Sequence, residues 1–366
     1  MGKVAIAAGG TAGHVKPGLA LAYELINQGL DSQEIVFFGT LNGQDKEILK
    51  GTSFKAYYFD TKGIVGKKAL ELLRNVIKLV QATLKTFFIV KNDDYKAVVA
   101  FGGYACIPAS FVALVLRKPL FVVVLDALAG RVTKILSKVA TLTITTQLSG
   151  TKRGQWQVGY FIDPKYLELK ELKNNDELVK KTKENLGLDP NLKTLLIMGG
   201  SLGARAINEM VPFIVESFKE SLNIIHISGL KNNAEFAAIN GNNYLQFQFL
   251  NDLRDVYLVA DLAITRAGAM SLAELSAVGI PAIVIPFPAA ADNHQFYNAL
   301  RAQQSAYFKI IEQSQATPQR LVTEIKEIFF NHNRSLVKEG HFELSPDYLG
   351  AKKVAELISG LVKEDV

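Results

Sequence analysis

Residues 194–208 read TLLIMGGSLGARAIN: an apolar run of strand length, a glycine-rich turn, then residues of helical character. The chain opens on the same progression at 4–28, VAIAAGGTAGHVKPGLALAYELINQ. A strand that feeds a helix through glycines is the opening unit of a doubly wound parallel α/β domain. One in each half predicts two Rossmann-like domains facing each other. Ligands in such sheets bind at the carboxyl ends of the strands, which puts the expected active site in the cleft between domains.

The surrounding chain extends the pattern. In the first half the apolar runs 4–8, 34–38, 97–101, 120–125 and 142–145 read as strands, with helical spacing at 17–28 and 69–90 between them. A charged, helix-prone segment at 163–188 reads as the connection to a second domain, where strands are expected at 194–198, 224–227, 262–265 and 282–286. The expected division is 1–162, 163–345, and a C-terminal helical segment 346–366 packing back on the first domain.

Bulk composition narrows the function classes. A chain of 366 residues suits two domains. The single cysteine, Cys106, excludes an internal disulfide and any multi-cysteine metal site, and fits a reducing compartment. The opening MGKVAIAAGG lacks the longer apolar region and cleavage site of a signal peptide. No uncharged apolar stretch reaches the roughly 18 residues needed to cross a bilayer. A net charge of +6 fits phosphates or an anionic membrane without deciding between them. The basic residues form no aromatic-interleaved stripe and no nucleic-acid-binding module is present, so no nucleic-acid partner is expected.

Three glycine turns follow strands: Gly9-Gly10-Thr11-Ala12-Gly13-His14, Gly102-Gly103-Tyr104, and Gly199-Gly200-Ser201-Leu202-Gly203. Glycine lets backbone approach a ligand closely, and a following helix offers N–H donors to an anion. None has the spacing of an ATPase P-loop, and the first departs from the dinucleotide fingerprint. Spread over two domains, they read as a site for several phosphates.

The blocks GGTAGHVKPGLALA, FGGYACIP, GGSLGARAIN and TRAGAMSLAELSAVGIPAIVIPFPAAADNHQFYNA resemble, in order, the motifs of the MurG family (glycosyltransferase family 28). The resemblance implies a GT-B fold and transfer of N-acetylglucosamine from UDP-N-acetylglucosamine to lipid I, an undecaprenyl-linked muramyl pentapeptide, in peptidoglycan synthesis. It implies neither metal nor cofactor. Carried over by motif, Ser201 sits against the diphosphate, Leu250 presents backbone to the uracil, and Ala269, Met270, Ser271, Leu272, Ala273 and Glu274 line the nucleotide. Glu274 accepts from the ribose hydroxyls, a role suited to a carboxylate. His294 and Gln295 read the sugar hydroxyls. Thr11, Ala12 and Gly13 face the sugar from the first domain, Asp126 stands at a donor-side asparagine position, and Gly102, Gly103 and Tyr104 face the acceptor. Arg266 is a candidate for phosphate or for a salt bridge. Plainer readings make Glu274 an exposed helix acid, His294 a surface histidine and His14 a helix cap.

Transfer requires an acceptor hydroxyl to lose its proton as it attacks the anomeric carbon. His14 is the candidate base, since imidazole titrates near neutrality. The amides of the Ser201 turn and the dipole of the next helix would take the leaving-group charge, giving direct displacement with inversion. Residues 67–91 carry Leu72, Leu73, Val76, Ile77, Val80, Leu84, Phe87 and Phe88 among six basic residues and one acid. That stretch reads either as a helix in an anionic membrane interface or as core. The former implies peripheral attachment at the cytoplasmic face of the cell membrane. Two segments depart from the family pattern: Val123-Val124-Leu125-Asp126 replaces a His-Glu-Gln-Asn run, and Tyr160-Phe161-Ile162-Asp163 replaces Asn-Pro-Val-Arg. Both lie in or beside the N-terminal domain, where the resemblance implies that the acceptor binds. They keep open transfer of a hexose to another lipid such as diacylglycerol, and a degenerate nucleotide-sugar-binding scaffold.

Overall fold

The computed structural model describes residues 2–63, 68–146, 154–231, 243–304, 307–330 and 347–363; Lys67 and the boundary expected at 345/346 lie outside them. The chain divides into two compact units, Met1–Asp163 with Asp347–Val366, and Pro164–Pro346.

The first unit holds β1 (Lys3–Ala7), β2 (Ile35–Thr40), β3 (Lys55–Phe59), β4 (Tyr95–Ala100), β5 (Leu120–Val124), β6 (Leu142–Thr145) and β7 (Gln155–Gln157). They form one parallel sheet in the order β3-β2-β1-β4-β5-β6-β7. The second holds β8 (Lys193–Met198), β9 (Leu222–Ile227), β10 (Tyr244–Phe247), β11 (Leu262–Thr265), β12 (Ala282–Val284) and β13 (Phe308–Ile310), parallel in the order β10-β9-β8-β11-β12-β13. Central strands are buried on both faces, which is why they read as unbroken apolar runs. Each sheet reverses strand order beside its first strand, at β1/β4 and at β8/β11. Loops leaving those strands form the crevice where such sheets take ligands.

Four strands escaped the sequence reading: β3, β7, β10 and β13. All four are sheet edges. An edge strand is covered less completely and tolerates polar residues, so QWQ, YLQF and FKI carry no continuous apolar signal.

The first helix also corrects the expectation. It runs Ala12–Asn27 with Pro17 inside it, rather than beginning near Pro17. Gln44 Oε1 accepts the Ala12 N–H at 3.0 Å, anchoring the helix start at the glycine turn. The N–H that Pro17 lacks would have met the Gly13 carbonyl, so one bond is lost early in an otherwise continuous helix. His14 therefore sits in the first helical turn. The charged 163–188 segment forms three short helices, Pro164–Leu167, Leu169–Leu172 and Asp176–Asn185, within the second unit. The C-terminal helix Gly350–Lys363 lies against Ala12–Asn27 in the first unit. Lys363 Nζ donates to the Gln28 carbonyl at 3.1 Å.

Candidate active site

At the β1/β4 reversal the first glycine turn is already occupied by the protein's own acceptors. Asp45, fully buried, takes the Gly10 N–H on Oδ1 at 2.8 Å and the Thr40 N–H on Oδ2 at 2.5 Å. Burial raises its pKa, opposed by those amide bonds. With Asp45 on Gly10 and Gln44 on Ala12, two amides of this turn already have acceptors, and a phosphate there would face a carboxylate. That weighs against this turn as one of the phosphate sites expected from the three glycine turns. Gln44 and Asp45 went unnoticed in the sequence because nothing in LNGQDKE distinguishes a buried acid from a loop acid.

The turn instead presents His14. Its Nδ1 lies 3.3 Å from Thr11 Oγ1, and the half-buried ring packs on the second glycine turn. Gly102 and Gly103 have φ of +100° and +74°, and a Cβ on Gly102 would stand 3.4 Å from His14 Nε2. Both glycines are thus required by backbone sign, and their bareness leaves the imidazole accessible. A Cβ on Gly102 would also meet Thr133 Oγ1 at 3.1 Å, which adds Thr133 to this neighbourhood. Of the other residues expected here, Thr11, Tyr104 and Asp126 are half-buried, Gly13 is exposed, and Ala12 is buried in the helix start.

At the β8/β11 reversal an open pocket of about 550 Å³ is lined by the turn Gly199–Ala204 together with Arg205, Arg266, Phe287, Gln295 and Gln313. The turn is shaped by what lies behind it. Ser201 O accepts from Leu230 N at 3.1 Å and Leu202 O from Lys231 N at 3.3 Å, while Gly203 N closes on Gly200 O at 2.9 Å. A trans planar peptide whose carbonyl points to the 228–231 loop aims the Leu202 N–H to the opposite side. Gly229, at φ +92°, abuts Gly203 so closely that a Cβ would overlap the Gly203 nitrogen. The helix after the turn, Arg205–Asn208, is a single turn long. Its dipole is correspondingly small, so the helix expected to take leaving-group charge can contribute little of it.

Arg266 is the buried cation of this pocket, while the exposed Arg205 pairs with Glu209. Arg266 is 6% exposed; Nη1 donates to the Ile285 and Pro286 carbonyls at 3.0 and 3.3 Å, and Nη2 to Gln313 Oε1 at 2.7 Å. Among the described residues it has no ion pair, and its Nε is buried without a hydrogen-bond partner. Burial lowers its pKa, yet a guanidinium remains charged. The salt bridge considered for it does not form among the described residues. A buried guanidinium without an ion pair among the described residues, in a pocket also lined by the Leu202 turn, has the chemistry to hold an anion. Gln295 shares the pocket, its Oε1 accepting from Phe287 N at 2.9 Å. His294 is not among the pocket-lining residues; its Nδ1 faces the Ala291 carbonyl at 2.8 Å.

Glu274 lies on the helix Ala269–Val278, 6% exposed, and accepts from Tyr257 Oη at 2.8 Å. The reading of Glu274 as a solvated surface acid therefore fails. Met270, Leu272 and Ala273 are buried; Ala269, Ser271 and Leu250 are half-buried.

Behind the turn, His226 Nδ1 meets Tyr244 Oη at 2.9 Å and its Nε2 meets Asn208 Oδ1 at 3.1 Å, while Asn208 Nδ2 donates to Ser228 O. Burial pushes the His226 pKa down to about 4. Between that value and the ordinary one near 6.5 the unfolded chain binds the extra proton. Stability is then complete above pH 6.5 and falls as pH drops toward 4, by up to about 3 kcal/mol. The expected outcome is a thermal midpoint that declines across that interval, with the decline flattened in His226→Gln; an equal decline in both chains counts against the assignment.

The paired parallel sheets, each with a glycine turn at its reversal point, define the GT-B class of nucleotide-sugar enzymes. In Acinetobacter baumannii MurG the same fold recurs with a TM-score of 0.71 and 27% identity, over 98% of this chain and 100% of that one. A calicheamicin glycosyltransferase shares the fold alone, at a TM-score of 0.68 and 14% identity. The N-terminal and C-terminal domain models of glycosyltransferase family 28 match residues 4–145 and 194–354. A UDP-N-acetylglucosamine--N-acetylmuramyl-(pentapeptide) pyrophosphoryl-undecaprenol N-acetylglucosamine transferase of Campylobacter fetus is 32% identical over 90% of this chain and 92% of that protein. A like-named Aquifex aeolicus protein is 31% identical over 90% and 93%. The chain belongs to glycosyltransferase family 28.

Proposed function

We propose that this protein transfers N-acetylglucosamine from UDP-N-acetylglucosamine to lipid I, forming lipid II in peptidoglycan synthesis. The observation that carries the reading is the pocket where the amide turn and unneutralised Arg266 converge, in a chain related over nine-tenths of its length to transferases of that name. In this reading the Leu202 amide and Arg266 hold the diphosphate, Glu274 the ribose hydroxyls, Leu250 backbone the uracil and Gln295 the sugar. His14 takes the acceptor proton as the hydroxyl oxygen bonds to the anomeric carbon; the bond to UDP breaks from the opposite face, inverting the centre. The developing negative charge on UDP then falls where donors are already arrayed, which lowers the barrier without reorganisation.

Incubation with labelled UDP-N-acetylglucosamine or UDP-glucose and either lipid I or diacylglycerol tests the reading. Label passing from UDP-N-acetylglucosamine into lipid II is expected. Glucose on diacylglycerol favours the hexose alternative, and tight donor binding without turnover on any lipid favours a scaffold.

The acceptor's polyprenyl chain requires a bilayer, and the helix Ala69–Asn92 supports such a contact. Among the described residues no helix is long and apolar enough to cross a membrane. This one inverts the usual amphipathic rule: Asn75, Ala82, Thr86 and Val90 face the protein, while Leu70, Leu73, Ile77, Val80, Leu84 and Phe88 face out. Of the apolar residues singled out in the sequence, Phe87 packs against the core. The outward face also carries the exposed Arg74, Lys85 and Lys91, which suits an anionic interface. Leu84→Glu with Phe88→Glu is expected to cut binding to phosphatidylglycerol vesicles by at least about tenfold, since each buried side chain contributes about 1.5 kcal/mol or more. Unchanged sedimentation with vesicles would argue against this face.

A further inference from the structure

The structure assigns Tyr257 as a positioning residue for nucleoside recognition, fixing the Glu274 carboxylate in the orientation that reads ribose hydroxyls; this rests on the reading of Glu274 given above. Tyr257 is fully buried, and its Oη donates to Glu274 Oε2 at 2.8 Å. Burial, reinforced by the negative charge of Glu274, holds the phenol far above its ordinary pKa, so it remains a donor.

What presents the phenol is itself held at both ends. Tyr257 lies on the short helix Arg254–Val259. At the start of that helix, the Leu253 N–H donates to Tyr166 Oη at 3.2 Å. The Tyr166 ring meets Tyr257 edge-on, 5.4 Å between centroids at 70°. At its end, Lys173 Nζ donates to the carbonyls of Tyr257, Leu258 and Ala260 at 3.2, 3.2 and 2.5 Å. A six-residue helix has little stability alone. Pinned this way, it delivers one hydroxyl to one carboxylate. An ionised carboxylate has about four acceptor positions, and the tyrosine bond takes one of them and restrains its plane. Fixing a flexible glutamate before the ligand arrives removes part of the ordering cost from binding. The role is recognition rather than chemistry, because Tyr257 reaches the nucleotide only through Glu274.

Titration calorimetry with UDP and with 2′,3′-dideoxy-UDP reads this directly. Tyr257→Phe is expected to weaken UDP about tenfold and to leave the dideoxy nucleotide unchanged; in turnover, KM for UDP-N-acetylglucosamine rises while kcat moves less than twofold. Tyr166→Phe, which loosens the same helix without touching Glu274, should weaken UDP about threefold with the same selectivity, and serves if the first variant does not fold. Equal weakening of both nucleotides, or of neither, overturns the assignment. If Glu274→Ala discriminates between the nucleotides and neither tyrosine variant does, the positioning role alone falls. If Glu274→Ala fails to discriminate, the ribose reading falls and takes the assignment with it.

Discussion

Glu274→Ala is expected to raise KM for UDP-N-acetylglucosamine by about 100-fold while kcat changes only a few-fold. Hydrogen bonds to a charged group contribute about 1.5–3 kcal/mol each, and a carboxylate facing a ribose diol makes two, so a loss near 3 kcal/mol is the modest end. The ribose lies away from the reacting carbon. Its contacts are made equally in ground and transition states, which is why the loss falls on KM. Glu274 is 6% exposed, so water cannot readily replace it in the variant. The same deletion strips the buried Tyr257 hydroxyl of its acceptor and should also lower the melting temperature. Steady-state kinetics with donor varied at saturating acceptor make the measurement. A large fall in kcat with KM unmoved would place Glu274 in the chemistry instead.

His14→Ala has the opposite signature. General-base catalysis contributes about 10²–10⁴-fold, and that factor should disappear from kcat with donor KM within a few-fold of the parent. The geometry supports a purely chemical defect: His14 sits in the first turn of a helix whose start is fixed by Gln44, and the glycines it packs on have no side chains to collapse into the gap. His14→Gln keeps a hydrogen-bonding side chain but cannot titrate, and should be nearly as slow. A glutamine variant with near-parental kcat would mean that His14 orients rather than accepts a proton.

How much of this was legible in the sequence follows from where each residue sits. Central strands showed themselves because burial on both faces demands unbroken apolar runs, and the glycine turns because backbone reversal at φ near +100° demands glycine. Edge strands β3, β7, β10 and β13 did not, since partial exposure erases the pattern. Pro17 misled the reading of the first helix, as a proline inside a helix looks like a proline starting one. The family motifs drew attention to Ser201, Glu274 and Gln295. What they could not convey was pairing over distance: Asp45 closing the first turn, 35 residues from Gly10, or Tyr257 meeting Glu274 from another helix. Arg266 stood out in the sequence, but that its guanidinium would bond carbonyls and Gln313 rather than an acid depends on packing that no local pattern encodes.

A crystal structure with UDP bound tests the central claim most directly. The diphosphate is expected within hydrogen-bonding distance of the Leu202 amide and Arg266, with the ribose on Glu274. Phosphates seated instead on the Gly9–Gly13 turn, against Asp45, would contradict it.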